Sequence, residues 1–331
     1  MLQVLKHQKL LAPTVVLGKS HLSDEDTSLS FTEFIKLCKT PLPDEKYRVF
    51  HARRNDEMIQ ALIAKKFFGA KIKIAFTSTA QRHHSKFSRY LMRQMNGIIT
   101  TNQRAASYLS ERQADIVIPH GVDTQTFRPA ENRDEAWDAL GLPGKYGIGI
   151  FGRVRESKGI DVFVDASLPL MKEFPDATVV ICGQCLPQDQ AYKNTLMTKI
   201  NNAGLADRYI FLGERPFAEI PGLFRAMSVV AALSREEGFG LTPLEAMASG
   251  CAVLTSDAGA WKEIVRDGVD GYCVPIADTK MTRSRLASLL SNIERTQRMG
   301  AQSRAYAENK FDISIEAKQI TEYLLSLAEA T

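Results

Sequence analysis

The chain has 331 residues, more than one ordinary hydrophobic core organises, so two domains are expected. With 44% apolar and 24% charged residues the composition is that of a globular rather than a disordered chain; no apolar run approaches the ~20 residues a membrane helix needs, and no signal-peptide pattern opens the chain. The net charge of +4 is unevenly spread: residues 1–147 hold 22 Lys and Arg against 15 Asp and Glu, and Lys46 to Arg112 hold 14 basic residues against Asp56, Glu57 and Glu111.

Met1 to Leu11 has a helical pattern and Pro13 to Gly18 that of a strand, followed by a polar, loop-like stretch from Ser20 to Thr32. Within that stretch Asp24-Glu25-Asp26 resembles a metal-binding acid group, but no apolar strand leads into it and no metal is expected there. A doubly wound domain usually starts with a strand and a glycine turn. No strand precedes the first helix here and no glycine precedes Gly18, so the expectation is a chain that begins inside a longer reading frame, its first domain lacking its first strand.

Strand patterns then recur at Tyr47–Ala52, Ile72–Ser78, Gly97–Asn102 and Ala114–Pro119 with helical segments between them, the grammar of a parallel α/β sheet. Arg82, Lys86, Arg89 and Arg93 fall at spacings that predict one basic helical face, beside an apolar face of Phe87, Tyr90, Leu91 and Met95. That face suits an acidic acceptor or an anionic membrane surface; the alternative is an ordinary amphipathic helix in a basic domain. Aromatics interleaved for base stacking and a nucleic-acid-reading motif are lacking, which argues against a nucleic-acid partner.

Pro119-His-Gly-Val-Asp123 and the polar segment to Gly147 read as a hinge, after which the α/β grammar restarts. Strands are predicted at Tyr146–Gly152, Thr178–Cys182, Tyr209–Leu212 and Val229–Leu233, with helices at Asp161–Phe174 and Ala191–Asn202. Thr242 to Gly250 is a further helix, Cys251 to Thr255 the next buried strand, and Ile315 to Ala330 an amphipathic helix. The expected division is an N-terminal domain over 1–145, a C-terminal domain over 146–312 and a helix over 313–331 that crosses back to the first domain. The fold class is α/β, two Rossmann-like doubly wound parallel-sheet domains facing a cleft.

The stretch Ser234 to Gly250 concentrates the chemistry. A strand, a loop bracketed by Gly238 and Gly240, and a helix start with Thr242 as N-cap, Pro243 at the first position and Glu245 three residues after the cap predict an anion site inside a capping box. Glu237 and Glu245 flank it eight positions apart; acids beside a phosphate site suit hydroxyl groups of the same ligand, as in a sugar joined to a nucleotide through a diphosphate. Gly152-Arg153 and Lys158-Gly159 follow a buried strand, and an arginine fork with a lysine point charge suits that diphosphate. Asp257-Ala-Gly259 is a second strand-end loop with a possible donor-side role, and Asp278 reads as a surface turn acid. Cys182-Gly-Gln-Cys185 lacks a second pair, His83-His84 lacks a metal-spaced partner, and five cysteines, at 38, 182, 185, 251 and 273, suit a reducing cytoplasm.

Together, Gly152-Arg153…Lys158-Gly159, Glu237-Gly-Phe-Gly-Leu…Glu245-Ala-Met-Ala-Ser-Gly250 and Asp257-Ala-Gly259…Glu263-Ile-Val resemble the retaining family-4 glycosyltransferases of the GT-B fold. In the first half, His51-Ala-Arg-Arg-Asn-Asp-Glu-Met58 and Phe76-Thr-Ser…Gln81-Arg82 resemble the bacterial lipopolysaccharide core mannosyltransferases. The resemblance implies GDP-mannose as donor, a lipid A-linked core oligosaccharide as acceptor, no cofactor or metal, and a cytoplasmic enzyme held peripherally at the inner face of the inner membrane. It also implies that Arg153 and Lys158 clamp the donor phosphates and that Glu245 binds the ribose. Glu237 with the Gly238, Phe239, Gly240 and Leu241 backbone would hold the sugar, Gly152 would border the donor, and His51, Arg53, Arg54 and Arg82 would stand on the acceptor side. Departures from the family pattern are Leu233-Ser234 in place of Pro-Ser, and Phe76 where a histidine is common. Two other readings stay open: the same transfer from another hexose nucleotide, and an inactive protein that binds a nucleotide sugar or an anionic membrane surface.

Overall fold

A computed structural model of the chain describes residues 2–18, 28–40, 42–43, 46–110 and 112–329, so the Asp24-Glu25-Asp26 group lies outside the described residues. Two compact units emerge, Met1–His120 with Ile313–Thr331, and Gly121–Asp312.

In the first unit, strands β1 (Val16–Leu17) and β2 (Ser28–Leu29) pair in parallel, where the sequence predicted only loop for Ser28 and Leu29. A separate parallel sheet runs in chain order through β3 (Arg48–Ala52), β4 (Ile72–Ser78), β5 (Gly97–Thr100) and β6 (Ile116–Val117). Alternation along the strands sends Ile98 into one core and Ile99 into another. The Ile98 core is closed by helices Phe31–Lys39, Asn55–Phe67 and Lys86–Met92 through Phe34, Met58, Leu62 and Leu91. The Ile99 core is closed by helices Leu2–Leu11 and Ile313–Glu329 through Val4, Ala317 and Ile320.

The predicted basic helix from Arg82 to Met95 is corrected. Ser85 caps the helix, its hydroxyl accepting from the Ser88 N–H at 3.1 Å, so Arg82 lies in the preceding loop and cannot share a helical face with Lys86. Phe87 and Tyr90, expected on the inward apolar face, are exposed, while Leu91, Met92 and Met95 are buried.

The second unit is one six-stranded parallel sheet built from β7 (Tyr146–Phe151), β8 (Ala177–Cys182), β9 (Tyr209–Gly213), β10 (Met227–Ala232), β11 (Ala252–Ser256) and β12 (Gly271–Val274). Its spatial order, β12-β11-β10-β7-β8-β9, is the Rossmann order, with the direction of winding reversing between β7 and β10. Both faces are covered, so its central strands are apolar throughout: Val229 and Ala231 enter one core, Val230 and Ala232 the other.

The boundary between units falls after His120 rather than at 145, which places the supposed hinge in the second unit. Its polar composition conceals Phe127 and Trp137, both fully buried in the core that holds Phe224 and Met227. Arg225 and Arg304 fasten the same segment by donating to the carbonyls of Thr126 and Thr124. Asp278, read as a turn acid, caps helix Thr279–Leu290 by accepting from the Met281 N–H at 2.8 Å.

Candidate functional site

The reversal of winding between β7 and β10 opens a crevice at their carboxyl ends, and the loops there carry the residues singled out above. After β7 come Gly152 and the exposed Arg153, then a single 3-10 turn, Glu156–Lys158. Gly159 ends that turn at φ +66°, and a Cβ on it would sit 1.9 Å from the Leu233 carbonyl oxygen. Only glycine lets the loop lie this close to the end of β10. Arg235 then ties the two loops: its N–H donates to the Ser157 carbonyl at 2.8 Å and its guanidinium grips both Asp161 carboxylate oxygens at 2.9 and 2.6 Å. Burial alone would raise the pKa of Asp161, but the Arg235 and Tyr192 hydrogen bonds outweigh it and hold the carboxyl below its usual range.

This arrangement brings Lys158 and Glu237 together. Lys158 Nζ donates to Glu237 Oε2 at 2.6 Å, and the same carboxylate accepts from Ser234 Oγ and the Gly238 N–H, each at 3.3 Å. Gly240 adopts φ +78° with its carbonyl held at 2.9 Å by Trp261 Nε1, and a Cβ there would meet that indole nitrogen at 2.5 Å. The Phe239 side chain is buried in the core, so only its backbone borders the loop, while Leu241 is exposed.

The expected capping box is corrected. Leu241, in helical conformation, is the N-cap of helix Thr242–Ala248, and no side chain caps it. The Glu245 N–H accordingly bonds to the Leu241 carbonyl at 3.0 Å, and the Glu245 carboxyl is released from the backbone. It points into a cavity of 370 Å³ that Gly152, Arg153 and Thr242 also line. Burial pushes its pKa up to about 7, and it has no hydrogen-bond or ionic partner among the described residues. An unpaired carboxyl in a cavity that Arg153 also lines suits a ligand that brings hydroxyl donors.

The same cavity is lined by Gln184, just past β8, and by Glu214 and Arg215, just past β9. These were missed from sequence, although the rule that ligands sit at strand carboxyl ends points to both loops. Asp257 accepts from the Ile276 N–H at 3.1 Å, and the five cysteines are unpaired, with Cys182 in the cavity wall.

In the first unit a second polar group gathers at the carboxyl ends of β3 and β4. His51 Nε2 lies 2.7 Å from Thr77 Oγ1, and burial, with the Arg53 charge, drops the imidazole pKa to about 3, so it is neutral at physiological pH. Burial also lowers the pKa of Arg53, against the opposing charges of Glu316 and Glu57, and its N–H donates to Glu57 at 2.6 Å. Arg54 and Arg82 are exposed. Gln81 donates to the Asn102 side-chain oxygen at 3.4 Å, and His84 contacts Ser78 at 3.0 Å. Among the described residues no three His, Cys, Asp or Glu side chains are grouped to hold a metal ion.

The model of the glycosyl transferases group 1 family matches residues 132–306, more than half of the chain and all of the second-unit loops described above. The chain belongs to the glycosyltransferase group 1 family. Among its curated relatives is the lipopolysaccharide core biosynthesis mannosyltransferase LpsB of Rhizobium meliloti (strain 1021), 37% identical over 98% of this chain and 92% of the relative. The crystal structure of the C-terminal domain of the group 1 protein LpcC from Francisella tularensis is 41% identical over 58% of this chain and 99% of that one, with a TM-score of 0.56. A glycosyltransferase from Rickettsia africae ESF-5, at 17% identity, superposes over 99% of this chain and 94% of its own with a TM-score of 0.83, a likeness of fold. This glycosyltransferase therefore has the two parallel-sheet α/β domains of the GT-B class. No helix among the described residues is long and apolar enough to cross a membrane.

Proposed function

We propose that this glycosyltransferase moves mannose from GDP-mannose to the inner core of lipopolysaccharide with retention of configuration. The observation that carries a nucleotide-sugar donor is the pairing, in one cavity, of an exposed Arg153 with a Glu245 carboxyl that has no partner among the described residues. Arg153 supplies a fork of donors for a diphosphate, and Glu245 accepts from the vicinal hydroxyls of a ribose. Mannose and the core acceptor are supported by the named activity of the relative that matches along nearly the whole chain.

In this reading Arg153 and Lys158 offset the charge that builds on the diphosphate as the sugar–oxygen bond breaks through an oxocarbenium-like state. Lys158 exchanges its contact with Glu237 for a donor phosphate, and Glu237, freed from the lysine, accepts from sugar hydroxyls. The leaving phosphate then takes the proton of the incoming acceptor hydroxyl on the same face, which accounts for retention without a protein nucleophile or a metal ion. His51, Arg53, Arg54 and Arg82 orient the acceptor, with His51 as a neutral hydrogen-bonding group.

The test is transfer of labelled mannose from GDP-mannose to a truncated lipid A–core acceptor, with the anomeric configuration read by NMR. Arg153→Ala is expected to lower transfer at least ~100-fold, and undiminished transfer by that variant would remove the clamp from the scheme. Calorimetric titration with UDP-, ADP- and GDP-sugars separates this reading from transfer of another hexose.

A further inference from the structure

Lys158 closes a single 3-10 turn, Glu156–Lys158, in which the Lys158 N–H donates to the Arg155 carbonyl and the Gly159 N–H to the Glu156 carbonyl, each at 3.0 Å. One turn of three residues does not hold its shape unaided. A lysine adds a flexible four-carbon stem to that turn. The stem runs past Gly152, where a Cβ would meet Lys158 Cε at 3.7 Å, and Nζ reaches Glu237 across the strand ends. Where Lys158 can deliver its charge is therefore set by whatever fixes the turn.

Arg235, two residues before Glu237, fixes it. Its guanidinium donates to the Glu156 carbonyl and its backbone N–H to the Ser157 carbonyl, so one residue holds two consecutive carbonyls of the turn. Asp161 orients the guanidinium by accepting from both Nη1 and Nη2, the bidentate geometry that only an arginine offers. Asp161 is fixed in turn by Tyr192 of helix Gln190–Asn202, whose hydroxyl donates to Asp161 Oδ1 and accepts from the Asp161 N–H, both at 2.9 Å. That second bond satisfies a first-turn N–H of helix Ile160–Glu173, which starts at Gly159 and has no side-chain cap of its own. The side chains of Arg235 and Asp161 are each 26% exposed, so most of the network is shielded from water.

We propose that Arg235 is a positioning residue for the transfer reaction: held through Asp161 by Tyr192, it fixes the Lys158 turn so that Nζ reaches the donor diphosphate. Its fork is engaged by Asp161 and the Glu156 carbonyl, so it acts through the turn rather than on the ligand. The same loop carries Glu237, so Arg235 also sets the spacing across which Lys158 exchanges a carboxylate for a phosphate. The role rests on the donor reading above, in which Lys158 binds the diphosphate.

The experiment is calorimetric titration of the full chain with GDP and with UDP, beside a steady-state transfer assay. Arg235→Ala keeps the backbone bond to Ser157; it should weaken binding of the preferred diphosphate and raise the donor KM about tenfold, with the acceptor KM unchanged. Mere loss of folded protein would lower kcat and move neither KM. In the double variant with Lys158→Ala, affinity should fall no further than in Lys158→Ala alone, because Arg235 acts through the lysine. Arg235→Lys keeps the charge but not the fork, and should bind as weakly as Arg235→Ala. Tyr192→Phe removes one hydroxyl and leaves Arg235 in place, so it tests the network even if the Arg235 variants fail to fold; it should weaken binding about threefold. Losses that multiply in the double variant, or normal binding by Arg235→Lys, would make Arg235 an independent charge at the ligand and overturn the proposal. If Lys158→Ala weakens binding while Arg235→Ala and Tyr192→Phe do not, the positioning role falls and the donor reading stands. Normal binding by Lys158→Ala would overturn both.

Discussion

Lys158 Nζ stands 2.6 Å from Glu237 Oε2, so the cation assigned to the donor phosphates and the acid assigned to the donor sugar neutralise each other across the ends of β7 and β10. A diphosphate must therefore compete with a carboxylate for the lysine. Both side chains keep some solvent contact, which makes the exchange inexpensive.

The two partners should consequently respond in opposite senses. Lys158→Ala is expected to weaken nucleoside diphosphate binding about tenfold and to lower transfer further. Glu237→Gln frees the lysine, so it should tighten nucleoside diphosphate binding several-fold while transfer falls at least ~100-fold. Isothermal titration beside a transfer assay checks the split; equal loss of binding in both variants would show that Glu237 acts only as a loop fastener.

Glu245 predicts a pH signature. In the unfolded chain its carboxyl ionises near 4.5, and in the fold near about 7. Between those values the folded state holds a proton that the unfolded state has shed, so the stability it contributes is complete below about 4.5 and is lost as pH rises to about 7. Glu245→Gln, which cannot ionise, should raise Tm relative to the parent at pH 8, by at most ~3 kcal/mol of stability, and leave it unchanged at pH 4. Ribose hydroxyls favour the ionised form, so parent affinity for a nucleoside diphosphate should climb with pH up to about 7, and the Gln variant should flatten that climb. Equal pH dependence in both proteins would take Glu245 out of the ligand site.

The glycine prediction compares two left-handed positions. Gly159 and Gly204 have φ +66° and +69°, but a Cβ on Gly204 meets nothing within 4 Å whereas one on Gly159 would reach the Leu233 carbonyl at 1.9 Å. Gly204→Ala should cost about 1 kcal/mol of backbone strain alone. Gly159→Ala must in addition push the Lys158 loop off β10, so urea denaturation should show a loss of several kcal/mol, with nucleotide binding gone from whatever remains folded. Equal losses would mean that the close approach is easily relaxed.

The strands of the second unit were legible because they are buried on both faces and so read as unbroken apolar runs, as at Thr178–Cys182 and Val229–Leu233. The start of helix Thr242–Ala248 was not: Thr242 has the composition of a cap, but the chain turns helical one residue earlier, at Leu241, and this detaches Glu245 from the backbone. Phe127 and Trp137 were hidden among acids and turn formers, since two isolated aromatics leave no periodicity even when they anchor a segment. Helix Phe31–Lys39 left a signal that could have been used, since Ser30 and Glu33 form a reciprocal capping box. The Lys158–Glu237 contact joins residues 79 positions apart, and only the order of the strands brings them together.

The strand order also gives the donor a direction. Arg153 and Glu245 stand beside the β7–β10 reversal, and the cavity extends outward past Gln184, which follows β8, to Glu214 and Arg215, which follow β9, the edge strand. In the proposed donor arrangement, with phosphates at Arg153 and ribose at Glu245, the base would lie at the outer end, near Glu214. A carboxylate accepts from the adjacent N–H and amino groups on one edge of guanine, whereas uracil offers a single N–H between two carbonyls that repel it. Glu214→Ala should therefore weaken GDP binding about tenfold and leave UDP binding unchanged or slightly improved. Inosine diphosphate, which lacks the amino group, should bind the parent more weakly than GDP and bind the variant equally. If the parent prefers UDP, the guanine donor itself is wrong; if it prefers GDP and Glu214→Ala changes nothing, another group reads the base and the donor stands.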